Sequence, residues 1–250
     1  MIIMGVGDPL SAQMLSITKT AVQKYAAAGE PIKEAAARTE VGRLLFQMGR
    51  GDDAFAELRQ AAQIFEDHEA DPPAAHALLG CAHALTIQNR LEESLPWFDR
   101  AIRKFREIGY EPGELEASAA KLEALGDLER WDAVDLSARI VARTEAAEDG
   151  QLRVLRLVAL KYLAKALLAA GDPRGSLSPV MQAADIAHDV GDRGEEATLR
   201  LFVAEDLRLL QDFPRAVDQY KQVMGLARGL PNAADLMTAA TAGLGKALRA

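Results

Sequence analysis

The sequence predicts an all-α protein built from stacked helical pairs, and three observations lead there. Related residues recur about every forty positions. Ala and Leu dominate the apolar fraction, with aromatics at 5%. Prolines fall where periodic apolar stretches begin. Ala costs no side-chain entropy in a helix and Leu little, so this composition favours helices, and strand formers are scattered.

The repeat is visible when Ala54, Ser94, Ala133, Ser176 and Ala216 are aligned, with steps of 40, 39, 43 and 40 residues. Four positions on come Leu58, Phe98, Ser137, Val180 and Tyr220; seven on come Ala61, Ala101, Ile140, Ala183 and Val223. Twelve positions before each marker stand Gly42, Ala82, Lys121, Ala164 and Ala204. A small residue there lets two helices approach, and Lys121 breaks the rule. Leu45, Leu85, Ala124, Leu167 and Leu207 follow three residues later. Gly49, Asn89, Leu128, Gly171 and Gln211 stand five before the marker; Gly and Asn tolerate the left-handed conformation that ends a helix.

The punctuation divides the chain into twelve helices. The first runs from about Leu10 to Ala28, five antiparallel pairs fill about residues 31–229, and a closing helix spans about 232–248. Pro31, Pro72, Pro173 and Pro214 each fit a first helical turn, where proline's missing N–H costs nothing. Asp71 and Asp172 precede two of these prolines as candidate caps. Gly191-Asp192 with Glu195 reads as a helix stop followed by a capping box. The whole chain, 1–250, is expected to be a single repeat domain.

The pattern Val41-Gly42, Leu45, Gly49, Ala54, Leu58 and Ala61 resembles a tetratricopeptide repeat, as do the segments Leu160 to Ala183 and Arg200 to Val223. The forty-residue spacing and the phrases ADIAHDVGDRGEEA and LLQDFPRAVDQY are similar to its long-helix subclass, found in bacterial signalling sensors, peptide-responsive regulators and polarity and motor adaptors. The likeness covers about residues 15 to 248, and the third copy departs most, with Lys121, Leu128 and Ser137. The resemblance implies a right-handed superhelical solenoid whose first helices line a concave groove. It also implies a binding function, a scaffold for a peptide or helical segment of a partner, as in a regulatory arm of a signalling system. The alternative is a sensor of a ligand or signalling peptide that changes superhelix shape. An enzyme is not expected, because no convergent acid–base set is visible.

Carrying the family's groove-facing positions over gives Thr39, Arg43, Phe46 and Gln47 in the first pair, then His76, Leu79, His83 and Thr86. The third pair gives Leu115, Ser118, Leu122 and Leu125. Val158, Lys161, Lys165 and Leu168 follow, then Leu201, Glu205 and Arg208. Arg43, Gln47, His76, His83, Leu115, Leu122, Lys161, Lys165, Glu205 and Arg208 are the candidate binding residues. Charged and polar groups towards the ends and an apolar middle suit an amphipathic segment with some acidic residues. The family's clamp for chaperone tails needs lysine and asparagine. Thr39 and Arg43 do not supply it.

Other chemistry finds little footing. His76 and His83 are about 10.5 Å apart along one helix, too far to ligate one zinc at roughly 2 Å without a third element. Asp52-Asp53 at a helix start complements the helix dipole. Gly5-Val6-Gly7 is half a dinucleotide fingerprint without its context, and no phosphate loop or nucleophile elbow occurs. Neither a metal nor another cofactor is expected. Cys81, among Leu78, Leu79 and Ala82, reads as a buried thiol. Trp97 and Trp131 are placed on second helices, packing between repeats.

A net charge of −8 repels polyanions and speaks against nucleic acid as a partner. The run around Val154 to Ala170 is interrupted by Arg156, Lys161 and Lys165, so no membrane span is expected, and the opening MIIMGVGDPL lacks a basic leader. These features suggest a cytoplasmic protein. The closing helix carries Leu236, Met237, Leu244 and Leu248 with few charges, and Ile2, Ile3 and Met4 form a second apolar end. A homodimer through the C-terminal helix is the expectation drawn from them.

Overall fold

A computed structural model describes residues 9–231 and 233–249. Among them it holds twelve α-helices and no strand: α1 (Pro9–Ala28), α2 (Pro31–Gln47), α3 (Gly51–Asp67), α4 (Asp71–Thr86), α5 (Leu91–Glu107), α6 (Glu111–Asp127), α7 (Val134–Arg143), α8 (Gly150–Ala169), α9 (Pro173–Asp189), α10 (Arg193–Leu209), α11 (Phe213–Ala227) and α12 (Ala233–Ala247). Ile2, Ile3, Met4, Gly5, Val6 and Gly7, named above, and position 232, where the closing helix is expected to begin, lie outside the described residues. No described helix is long and apolar enough to cross a membrane.

The chain falls into two compact units, Met1–Leu128 and Glu129–Ala250. Inside each, a helix packs on its sequence neighbours. In the first unit α2 also touches α4, and α4 touches α6; in the second, α10 touches α12. The first core gathers Leu15, Val22, Val41, Leu44, Leu45, Leu58 and Cys81, with Phe46, Phe55 and Trp97 packed against it. The second gathers Leu160, Val180, Leu199, Val203, Leu207, Tyr220 and Leu236.

Helix ends follow a steady cadence. Positive φ occurs at Gly29, Gly49, Glu69, Asn89, Gly109 and Glu129, then at Gly171, Gly191, Gln211 and Gly229. The first six are twenty residues apart. At most of these stops the following N–H reaches back to the carbonyl five residues earlier, as from Arg50 to Leu45, Tyr110 to Phe105 and Asp212 to Leu207, all at 2.9 Å. This bond satisfies an orphan carbonyl and reverses the chain within two residues. The residue after the stop becomes the cap of the next helix, so turns are minimal.

The third pair corrects the sequence-based alignment. Its left-handed stop is Glu129, φ 54°, not Leu128. In the other four pairs the cap follows the stop directly, at Arg50, Arg90, Asp172 and Asp212. Here Arg130, Trp131 and Asp132 intervene before the cap at Ala133. The first helix of this pair is therefore displaced by one position from the expected alignment, and the second by four. Aligned on the stop, Leu125 joins Leu45, Leu85, Leu167 and Leu207, and Leu122 takes the place of Gly42 and Ala82. Aligned on the cap, Ser137 is the counterpart of Ala54 and Ser94, and all three are fully buried.

Two further expectations change. Asp71 is the first residue of α4, not its cap, and its carboxylate meets Lys104 Nζ at 2.8 Å. Asp172 does cap, accepting from the Gly175 N–H at 2.8 Å. Trp131 lies in the three-residue insertion, not on a second helix, and packs on Tyr162 with ring centres 5.3 Å apart. The Tyr162 hydroxyl donates to the Arg130 carbonyl at 2.7 Å and accepts from the Ala133 N–H at 3.0 Å, which staples the insertion to α8. Cys81 is buried as expected, and burial pushes its thiol up to about 12, so it is not a thiolate at neutral pH.

Candidate interaction faces of the first helices

The stop-aligned register reassigns the outward positions of the first unit. Six residues before the stop stand Arg43 on α2, His83 on α4 and Glu123 on α6; thirteen before it stand Ala36, His76 and Glu116. Leu115 and Leu122, expected to line a groove, are instead buried at 3% and 1% exposure. They are one residue, about 100° of helix rotation, away from the outward positions. Glu116 and Glu123, both exposed, take their places. The apolar middle of the anticipated lining is thus core, and an acidic pair stands on the face of α6.

The cationic and imidazole groups of this unit are half committed. Arg43 is exposed and forked onto Glu40, with Nε to Oε2 at 2.8 Å. Gln47 is exposed at the last turn of α2. His76 is exposed and sets its ring edgewise on Phe105 and Tyr110, at 5.0 and 5.9 Å between centres. His83 is half-buried, edge-on to Phe98 at 5.6 Å. Burial lowers its imidazole below the ordinary histidine value, against a smaller opposing pull from Glu116. His83 is therefore neutral over a wider pH range than a free histidine. No cluster of three or more metal-ligating side chains is present among the described residues.

In the second unit the same row is Lys165 and Glu205. Lys165 lies with its ammonium 5.4 Å from the centre of the Phe202 ring. Lys161 on the same helix is paired with Glu195 at 2.9 Å, both side chains being mostly buried. That contact also explains why the expected capping box is half formed. Asp192 accepts from the Glu195 N–H at 3.0 Å, while the Glu195 carboxylate turns to Lys161. Glu205 receives Arg208 at 2.7 Å and the Tyr220 hydroxyl. Tyr220 is wholly buried, and burial followed by Glu205 raises its phenol far above the usual range, so it stays protonated at neutral pH and donates to Glu205. A small pocket opens among α8, α9 and α10, lined by Lys161, Lys165, Ser176, Phe202 and Asp206 with apolar neighbours.

The closing helix hides most of what made it look adhesive. Leu236 is buried, Met237 and Leu244 pack against the second core, and Leu248, just past the end of α12, stands in solvent at 68% exposure. The greater apolar exposure is on α1, where Leu10, Met14 and Ile17 share a stripe at helical spacing.

Alignment of the third pair on its leucines, in place of Ala133, is what brings Glu116 and Glu123 to the outward positions. Five leucines in register, from Leu45 to Leu207, carry that signal in the sequence.

No family model matches the chain, and no curated protein matches it. Solved structures do. A kinesin light chain of Podosopora anserina with nearly identical TPR-like repeats is 17% identical, with TM-score 0.60, over 78% of this chain and 95% of that one. RapI in its apo form is 13% identical, with TM-score 0.66, over 96% and 90%. A Signal Transduction ATPase with a tetratricopeptide repeat sensor from Pyrococcus horikoshii is 14% identical, with TM-score 0.62, over 93% and 38%. At these identities the likeness is one of fold, the TPR-like repeat of helical pairs.

Proposed function

We propose that the chain is a cytoplasmic protein–protein interaction scaffold, and that the outward rows of its first helices hold a peptide or helical segment of a partner. One observation carries this reading. In the first unit, α2, α4 and α6 lie side by side, and equivalent positions on them bear Arg43, His83 and Glu123, with His76 and Glu116 nearby. Side chains that differ in charge at repeated positions are not needed to stack the helices, whereas the residues that do stack them are Ala and Leu. A graded row from cationic to acidic selects an amphipathic segment carrying both signs of charge. Arg43 and Lys161 already hold carboxylates of their own chain, so a purely acidic partner is the poorer match. A role as the regulatory arm of a signalling system fits the same reading.

Photocross-linking tests it with the full chain in its native host. A cross-linking residue at Gln47 or His76 is expected to capture one predominant protein. The same group at Gln60 or Lys221, exposed on the second helices α3 and α11, is expected to capture little. Equal capture from both sets of positions sinks the assignment.

A second reading, a sensor for a ligand or signalling peptide, draws on the pocket among α8, α9 and α10. The neighbour from Pyrococcus horikoshii bears a tetratricopeptide repeat sensor, which keeps this reading in play. A homodimer through the C-terminal end draws on Leu248, exposed just past the end of α12. Light scattering before and after Leu248→Ser separates dimer from monomer.

A further inference from the structure

The pocket of the second unit contains a group that the fold leaves unanswered. Asp206 on α10 is 1% exposed, and neither of its carboxylate oxygens has a hydrogen-bond partner. Ser176 stands close enough to draw the carboxyl down, yet its hydroxyl does not reach bonding geometry with either oxygen. Burial, opposed by Ser176 and aided by Glu205, leaves the carboxyl above its ordinary value. A buried carboxylate needs a proton or a cation.

The neighbouring charges do not supply the cation. Lys161 is held by Glu195 at 2.9 Å, and Arg208 is held by Glu205 at 2.7 Å. Lys165 lines the same pocket, but its ammonium rests on the Phe202 ring. The remaining walls, among them Leu168, Val180 and Leu199, are apolar. The cavity holds about 30 Å³, room for a group of water or ammonium size.

We propose that this pocket is a subsite for a primary ammonium at the end of an unbranched alkyl stem, with Asp206 as its counter-ion and Phe202 as its aromatic wall. A carboxylate binds an ammonium through charge-assisted hydrogen bonds, and a ring face attracts the same charge. The apolar walls suit methylenes. A calcium or magnesium ion requires about six oxygen ligands, and Asp206 with Ser176 offers far fewer. Lys165 on Phe202 shows that the ring already receives an ammonium, and makes that residue a resident competitor. The proposal deepens the scaffold reading when the stem is a partner's lysine, and stands without it when the ligand is a free diamine.

Calorimetric titration of the full chain near neutral pH with n-pentylamine, against pentanol and pentanoate as matched stems, tests the site. Pentylamine is expected to bind and the other two to bind at least about tenfold more weakly. Asp206→Asn keeps the shape, removes the charge and is expected to weaken pentylamine about tenfold or more. Absence of pentylamine binding, binding equal to pentanol, or full retention in Asp206→Asn overturns the proposal. Should Asp206→Asn fail to fold, Lys165→Met carries the test. Freeing the ring is expected to tighten pentylamine several-fold, and unchanged or weaker binding overturns the site. Cadaverine and N-acetyl-lysine amide then separate the sources, since the tighter of the two identifies a free diamine or a partner's lysine. Cross-linking at Gln47 and His76 reads the scaffold function separately, so either idea can fail alone.

Discussion

The pairs α2–α3 and α4–α5 and the helix α7 show two ways of spending a forty-residue repeat. In the regular pairs the second helix runs thirteen residues past its buried marker, from Ala54 to Asp67 and from Ser94 to Glu107. Helix α7 stops six residues past Ser137, at Arg143. The place filled by Phe65 and Phe105 in the regular pairs falls on Glu148, which is exposed. Three residues inserted before the helix and two turns missing from its end keep the overall period while changing what is buried. Repeat length alone therefore does not report whether a pair is whole.

The sharpest way to break this comparison is at those equivalent positions. Phe105→Ala removes a fully buried ring and is expected to cost about 3–5 kcal/mol in denaturant unfolding. Glu148→Ala at the corresponding place should change stability by less than about 0.5 kcal/mol. Similar losses at both sites would mean that α7 is packed like its counterparts.

The close-approach position separates the pairs next. A Cβ on Gly42 would stand 2.5 Å from Leu58 Cγ, whereas its counterpart in α6 is already a buried leucine, Leu122. Gly42→Leu is expected to destabilise by about 1–3 kcal/mol through overpacking. A melting temperature unchanged by that substitution would show that Leu58 can vacate the crossing freely.

The insertion has its own brace. Tyr162→Phe keeps the ring against Trp131 but leaves the Ala133 N–H and the Arg130 carbonyl without the hydroxyl. A loss of about 1–2 kcal/mol is expected, with faster amide exchange at Ala133. Exchange there that matches the wild type would detach the staple from the stability of α7.

Smallest is the effect of relaxing a stop. Gln211 holds φ 63° where Gly49 holds 72° in an equivalent turn. Gln211→Gly is expected to stabilise by about 0.5–1 kcal/mol, and Gly49→Gln to destabilise by a similar amount. Chemical denaturation midpoints for the two reciprocal variants check the pair.

The helices, their order and the forty-residue period were legible in the sequence, because each depends on local chemistry. Ala and Leu favour helix, proline suits a first turn, and Gly49, Asn89 and Gly171 accept a left-handed stop. The exposed positions of Arg43, Gln47 and His76 follow from the distance to a stop, which sets the face, whereas Leu79 and Val158, expected on such faces, are buried at 5% and 8%. What only the tertiary structure decided is where the third pair begins and which charges remain available. Glu129 carries no sign of its left-handed backbone, and one residue of error turned Glu116 and Glu123 into Leu115 and Leu122. The pairing of Lys161 with Glu195, thirty-four residues away, and the isolation of Asp206 arise from neighbours that meet only when helices pack. Local propensity fixes a dihedral or a face, whereas burial and ion pairing are properties of contacts between distant segments, and a single sequence does not record them.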